Sequence, residues 1–242
     1  MMRVTVHADR AAAGAAAAVE AAAALRETLH RQENARVVFA AAPSQLGLLA
    51  GLRDAPGLDW SRVSVFHLDE YVDLAPESPA RFSRFLRTHL WDAVRPGQVH
   101  AIEPGADPEA ECARYAELLA AAPLDLICLG VGDNGHLAFN DPPVADFADP
   151  LPVKIVALDA ASRRQQVADG CFADLDQVPR EAVTLTIPTL MAGRRLVVTV
   201  PGARKKAALR AALDGPLTTD CPASVLRTHA HCALFADQEA HG

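Results

Sequence analysis

The chain has 242 residues, 50% of them hydrophobic and 22% charged, with a net charge of −7. That length supports one large single-core domain over residues 1–242, and with no Lys/Arg run beyond three residues there is no nucleic-acid footprint. Five scattered cysteines (Cys112, Cys128, Cys171, Cys221 and Cys232), without a C-x-x-C pair, read as reduced thiols of a cytoplasmic protein rather than a disulfide framework.

A first strand is expected at Arg3–His7, followed by a helix over 10–31. Its Ala-rich stretch 11–25 imitates the apolar segment of a signal peptide, but His7, Asp9 and Arg10 precede it and Glu20 interrupts it. Alanine forms helices well and anchors in membranes poorly. The expectation is therefore neither export nor a membrane partner.

The second strand, Arg36–Ala41, runs through small residues into Pro43-Ser44-Gln45 and a helix over 44–53. A hydroxyl near a helix start, with free backbone N–H groups behind it, suits an anion and makes Ser44 a candidate ligand. The third strand, Arg62–Leu68, ends in Asp69-Glu70-Tyr71 before a helix over 79–92. A carboxylate shielded at a strand end has a raised pKa and can abstract a carbon-bound proton, which makes the adjacent pair Asp69 and Glu70 candidates.

A helix over 108–121 leads to the apolar strand Leu124–Val131. Gly130-Val131-Gly132-Asp133-Asn134-Gly135-His136 then packs three glycines into six residues. Glycines let a ligand approach the backbone, here at Gly132, and Asn134 and Asp141 flank His136 as orienting groups for an acid/base. The glycine spacing differs from the dinucleotide fingerprint, so no nucleotide cofactor is expected.

Strands Val153–Leu158, Ala182–Ile187, Leu196–Val200 and Cys232–Ala236 complete the pattern, with a helix over 203–213. That helix opens on Arg204-Lys205-Lys206. Cations there oppose the helix dipole, and an anionic ligand accounts for them. Alternation of near-continuous apolar strands with helices predicts an α/β fold, a Rossmann-like three-layer sandwich with a mostly parallel central sheet. His67 with Asp69, and His229 with His231, could each chelate as alternate strand residues, but neither pair has a third ligand; no metal is expected.

With these residues assembled, the chain resembles the glucosamine-6-phosphate deaminase and isomerase family, relatives of the 6-phosphogluconolactonases. FHLDEYVDL (66–74) and LGVGDNGHLAFNDP (129–142) carry the resemblance, supported by RRQQVADGCF (163–172), QVPREAVTLTIPTLM (177–191) and VPGARKKAAL (200–209). It implies a metal-free, cofactor-free enzyme acting on a phosphorylated sugar. It also implies Asp69 as the base between C2 and C1, His136 as the ring-opening group, and Lys205 and Ser44 as phosphate ligands. Arg163 is a looser phosphate candidate. Many family members carry Asp where this chain has Asn134 and Glu where it has Asp141, and the usual glycine pair of the phosphate loop is replaced by Ala41-Ala42-Pro43. A deaminase releasing ammonia and fructose 6-phosphate leads the readings. A lactonase, a non-deaminating isomerase and a non-catalytic sugar-phosphate sensor remain open, and the sequence does not decide whether the chain forms a homo-oligomer.

Overall fold

The computed structural model describes residues 2–242. Its strands are β1 (Arg3–His7), β2 (Ala35–Phe39), β3 (Val63–His67), β4 (Asp69–Tyr71), β5 (Gln98–Val99), β6 (Leu126–Gly130), β7 (Val153–Ala157), β8 (Glu181–Leu185), β9 (Arg195–Val200) and β10 (Cys232–Asp237). The helices are α1 (Arg10–Arg31), α2 (Leu46–Arg53), α3 (Phe82–Leu86), α4 (Asp92–Val94), α5 (Pro108–Ala120), α6 (Ala160–Ala168), α7 (Ile187–Met191), α8 (Lys206–Asp214) and α9 (Gln238–His241). Short 3-10 turns open α2 and α8, and a π turn, Arg87–Trp91, joins α3 to α4.

Seven strands form one parallel sheet in the order β1-β10-β9-β6-β2-β3-β5. Both of its faces are covered. Along β2, Val37 and Phe39 pack with α1 and α2 residues such as Leu25 and Leu49, whereas Val38 packs with Tyr115 and Leu119 of α5 and with Leu209 of α8. This alternation explains why the apolar runs are unbroken, since each successive side chain enters a different core.

One expectation needs correction. The segments 153–158 and 182–187 do not join the central sheet; β4, β8 and β7 form a separate antiparallel sheet in that order. Leu68 is the single residue between β3 and β4, and its carbonyl accepts a hydrogen bond from the Leu185 amide at 2.9 Å. The third strand thus hands the chain directly to the second sheet, and Asp69 starts a strand instead of a loop.

Helix α1 begins where expected, with the Asp9 carboxylate accepting the Ala12 amide at 2.8 Å. Its alanine face lies very close to α2: a Cβ built on Gly14 would stand 2.8 Å from the Gly47 Cα. This approach draws the first turn of α1 and the loop before α2 to the same edge of the sheet. The helix expected over 79–92 starts at Phe82 because the buried Glu70 carboxylate caps it, accepting the Phe82 and Ser83 amides at 3.0 Å each. Helix α6 lies outside the helical segments that the sequence pattern marks; only Ser162 and Gln166 in it are buried, so apolar periodicity is silent there. Among the described residues no helix is long and apolar enough to cross a membrane.

Candidate active site

In parallel sheets the strands' carboxyl ends open toward ligand. Here β9, β6 and β2 lie side by side. The turns leaving them, with the start of β4, enclose a cavity of about 260 Å³. Ser44, Asp69, Gly132, His136 and Lys205 all line it. Five of the eight site residues picked from the sequence therefore meet in one place. Neighbouring strands do not carry Asp69 and His136: Asp69 begins β4 of the side sheet, whereas His136 lies in the turn after β6 of the central sheet.

Asp69 and Glu70, adjacent in sequence, point to opposite sides of β4, as strand geometry requires. Asp69 faces the cavity, whereas Glu70 is spent on the α3 N-terminus. Asp69 is only 8% exposed. Burial, followed by the charges of Glu70 and Asp141, lifts its carboxyl well above the usual carboxylate range. Such a group is a stronger base once ionised than an exposed aspartate. His67, two residues earlier, is committed elsewhere: its Nε2 accepts the Ile102 amide at 2.8 Å, and burial pushes its pKa down to about 3.

Asn134 and Asp141 do not line the cavity; they act on His136 from behind. The Asn134 Oδ1 lies 2.8 Å from His136 Nδ1 and also accepts the His136 amide. The Asp141 Oδ1 lies 3.1 Å from the same Nδ1 and receives hydrogen bonds from the Asn134 amide (2.8 Å) and the Ser162 hydroxyl (2.6 Å). With two acceptors facing it, Nδ1 carries the proton, and Nε2 is left with the lone pair. Burial raises the Asp141 pKa, but the His136 contact and then the Ser162 and Asn134 donors outweigh it, leaving the carboxyl below its ordinary value.

The second sheet holds this loop in place. Phe139 donates its amide to Thr184 Oγ1, and the Asn140 side chain bonds the Leu137 and Leu185 carbonyls at 2.8 Å each. Ala138 is forced to a φ of 51° in the process and lines the cavity beside His136. Of the glycines, Gly135 takes a positive φ of 86°. Gly132 serves by its bareness, since a Cβ there would fall 2.2 to 2.4 Å from the His136 ring atoms. Gly132→Ala is expected to displace the imidazole and lower kcat by roughly tenfold or more, with little change in Tm. Steady-state kinetics beside a thermal melt checks it, and an unchanged kcat would show that the ring position is not critical.

Arg163 is a correction. Its guanidinium donates to the carbonyls of Leu175 and Val178, away from the cavity, and fixes the loop after α6. The residues missed from sequence are Ser162, Gln165 and Asp169 on or next to α6, Asp133 beside Asn134, and Arg10 at the start of α1. Asp159 preceding a run of small and polar residues is a helix-cap signal that could have revealed α6.

A family model described as glucosamine-6-phosphate isomerases/6-phosphogluconolactonase matches residues 8–235. The glucosamine-6-phosphate deaminase of Exiguobacterium sibiricum is 34% identical over 216 residues, 89% of this chain and 83% of that protein. The deaminase of Lactobacillus delbrueckii subsp. bulgaricus is 36% identical over 190 residues, 77% of this chain and 78% of its own. Among solved structures, a monomeric glucosamine-6-phosphate deaminase superposes with a TM-score of 0.89 at 26% identity, covering 99% of this chain and 98% of that one. The 6-phosphogluconolactonase of Thermotoga maritima shares the fold, with a TM-score of 0.80 at 18% identity, over 98% of this chain and all of its own (100%). The chain belongs to the glucosamine-6-phosphate isomerase/6-phosphogluconolactonase family.

Proposed function

We propose that the chain converts glucosamine 6-phosphate and water into fructose 6-phosphate and ammonia. The observation that carries this reading is the meeting of a buried carboxyl of raised pKa, Asp69, and an oriented imidazole, His136, on the wall of one small cavity. Isomerising an aldose needs a base at C2 and a proton carrier at the ring oxygen, and these two residues supply one each.

The steps follow from the protonation states. His136 Nε2, with its proton relay fixed behind Nδ1, exchanges the proton that opens the pyranose ring. Asp69, ionised, takes the C2 proton and returns it at C1, so that the double bond moves and C2 becomes an imine carbon. Water then adds at C2 and ammonia leaves, which makes the net reaction hydrolytic. Lys205 and Ser44 hold the phosphate away from the reacting carbons, and that binding energy orients C1 and C2 against Asp69.

Incubation with glucosamine 6-phosphate, scored for both ammonia and ketose, tests the reading. Stoichiometric formation of the two supports it. Ketose without ammonia would make the chain a plain isomerase. Proton release from 6-phosphogluconolactone with no ammonia from the amino sugar would overturn the proposal in favour of the lactonase branch.

A further inference from the structure

Of the three cations lining the cavity, Arg10, Arg204 and Lys205, the last two are already engaged by the protein's own carboxylates. Lys205 is buried, and its Nζ lies 2.6 Å from Asp133 Oδ1. Arg204 stands 3.6 Å from Asp133 Oδ2 and forms a second ion pair with Asp169. The two acids come from different places, one in the turn after β6 and the other at the C-cap of α6. Arg10 lines the same cavity, its guanidinium close enough to Gly202 that a Cβ there would stand 3.1 Å away. Among the described residues Arg10 has no carboxylate within ion-pair distance.

A buried ammonium without a counter-ion is costly, so Asp133 stabilises Lys205 while the cavity is empty. The same carboxylate cannot stay against Lys205 beside an incoming anion without strong like-charge repulsion. A phosphate ester carries about −1.5 to −2 charges and three acceptor oxygens, so it can replace a carboxylate at an ammonium and still engage the fork of an arginine. A neutral sugar or a weakly charged one lacks that capacity.

We propose that the phosphate end of the substrate binds by exchange, displacing Asp133 and Asp169 from Lys205 and Arg204 and recruiting Arg10 as a third cation. Asp133 and Asp169 are thus a built-in competitor that sets the affinity for the anion and selects dianionic sugars. The inference rests on the sugar-phosphate reading of the cavity, which Arg163 does not serve.

Inorganic phosphate is the probe, because its binding does not depend on which sugar is turned over. Calorimetric Kd values are compared for the wild type, Asp133→Asn, Asp169→Asn and Arg10→Gln at one fixed low ionic strength. Asp133→Asn is expected to tighten phosphate about tenfold or more, Asp169→Asn to tighten it by less, and Arg10→Gln to weaken it about tenfold. Should Asp133→Asn fail to fold, Asp169→Asn carries the same sign from a separate loop. Unchanged or weaker phosphate binding in a folded Asp133→Asn or Asp169→Asn protein would overturn the proposal, showing that the acids position the cations instead of competing for them. So would undetectable phosphate binding in every variant. A parallel turnover assay separates the two ideas: these Kd shifts without any reaction of glucosamine 6-phosphate would leave the exchange standing and remove the substrate assignment.

Discussion

Asp69→Asn is expected to reduce kcat for glucosamine 6-phosphate by about 10²- to 10⁴-fold, the range of a lost general base, while the sugar phosphate still binds and the protein becomes more stable. The three effects share one cause. Burial holds the Asp69 carboxyl above its ordinary pKa, so the folded protein binds that proton more tightly than the unfolded chain does. The sign then follows from linkage: stability is greatest below the unfolded carboxylate pKa and declines as pH rises toward the folded value. Above the ordinary carboxylate range the buried acid is a cost that an isosteric amide removes. A relief of about 1 kcal/mol corresponds to a rise in Tm of roughly 2–4 °C for a chain of this size. Melts at pH 8 and at pH 4 check it: the gain should be larger at the higher pH. A variant less stable than the wild type at both pH values would show that Asp69 is structural. In the wild type, the same raised pKa should place the acid limb of kcat/KM above the range of an ordinary carboxylate.

How far the site was legible depends on where each residue's partner lies. The strands β2, β6 and β9 and the turns after them could be read directly, because unbroken apolar runs followed by glycine or small residues are local signals. Ser44, Gly132, His136 and Lys205 lie in or just beyond such turns, and all reach the cavity. Asp69 was found for a reason that is only partly right. It lies at the end of an apolar run, yet it begins β4 in a second sheet whose partners, β8 and β7, come roughly a hundred residues later. Nothing local to 153–158 or 182–187 distinguishes an antiparallel side sheet from two more central strands.

Charged residues were the least legible. Arg163 and Arg204 are both arginines near motif positions, but one is spent on the carbonyls of Leu175 and Val178 while the other faces the cavity. That choice is made by the path of the loop after α6, a tertiary fact. Glu70 likewise looked equivalent to its neighbour Asp69 until α3 was seen to start against it. Asp133 passed unnoticed because its partners, Arg204 and Lys205, lie some seventy residues further on.

The histidine relay yields the other large effect. Asn134 and Ser162 are neutral, so among the described residues Asp141 supplies the only negative charge of the side chains meeting His136 Nδ1. Asp141→Asn is expected to lower kcat by about 10²- to 10⁴-fold, as when a buried orienting carboxylate is lost from behind a catalytic imidazole. Asn134, Ser162 and His136 Nδ1 all meet the one oxygen Oδ1, so the new amide would either set its NH₂ against all three or keep its oxygen there and bury an unpartnered NH₂ at the Oδ2 position. The first arrangement moves the proton off Nδ1 and removes the lone pair from Nε2, the tautomer unsuited to ring opening, and the second keeps the tautomer but loses the charge behind the imidazole. Binding of an acyclic 2-amino-2-deoxyhexitol 6-phosphate, which has no ring to open, should be unaffected, and Asp141→Glu should recover most of kcat because it restores the charge with a longer reach. Stability should respond with the opposite sign to Asp69. Asp141 titrates below its unfolded value, so it stabilises the fold at neutral pH, and that contribution disappears as pH falls through its folded pKa. The Tm difference between Asp141→Asn and wild type should therefore be largest near pH 7 and shrink in acid. A kcat within a few-fold of wild type for Asp141→Asn would mean that Asn134 and Ser162 alone suffice to orient His136, and that the charge behind the imidazole takes no part in the reaction.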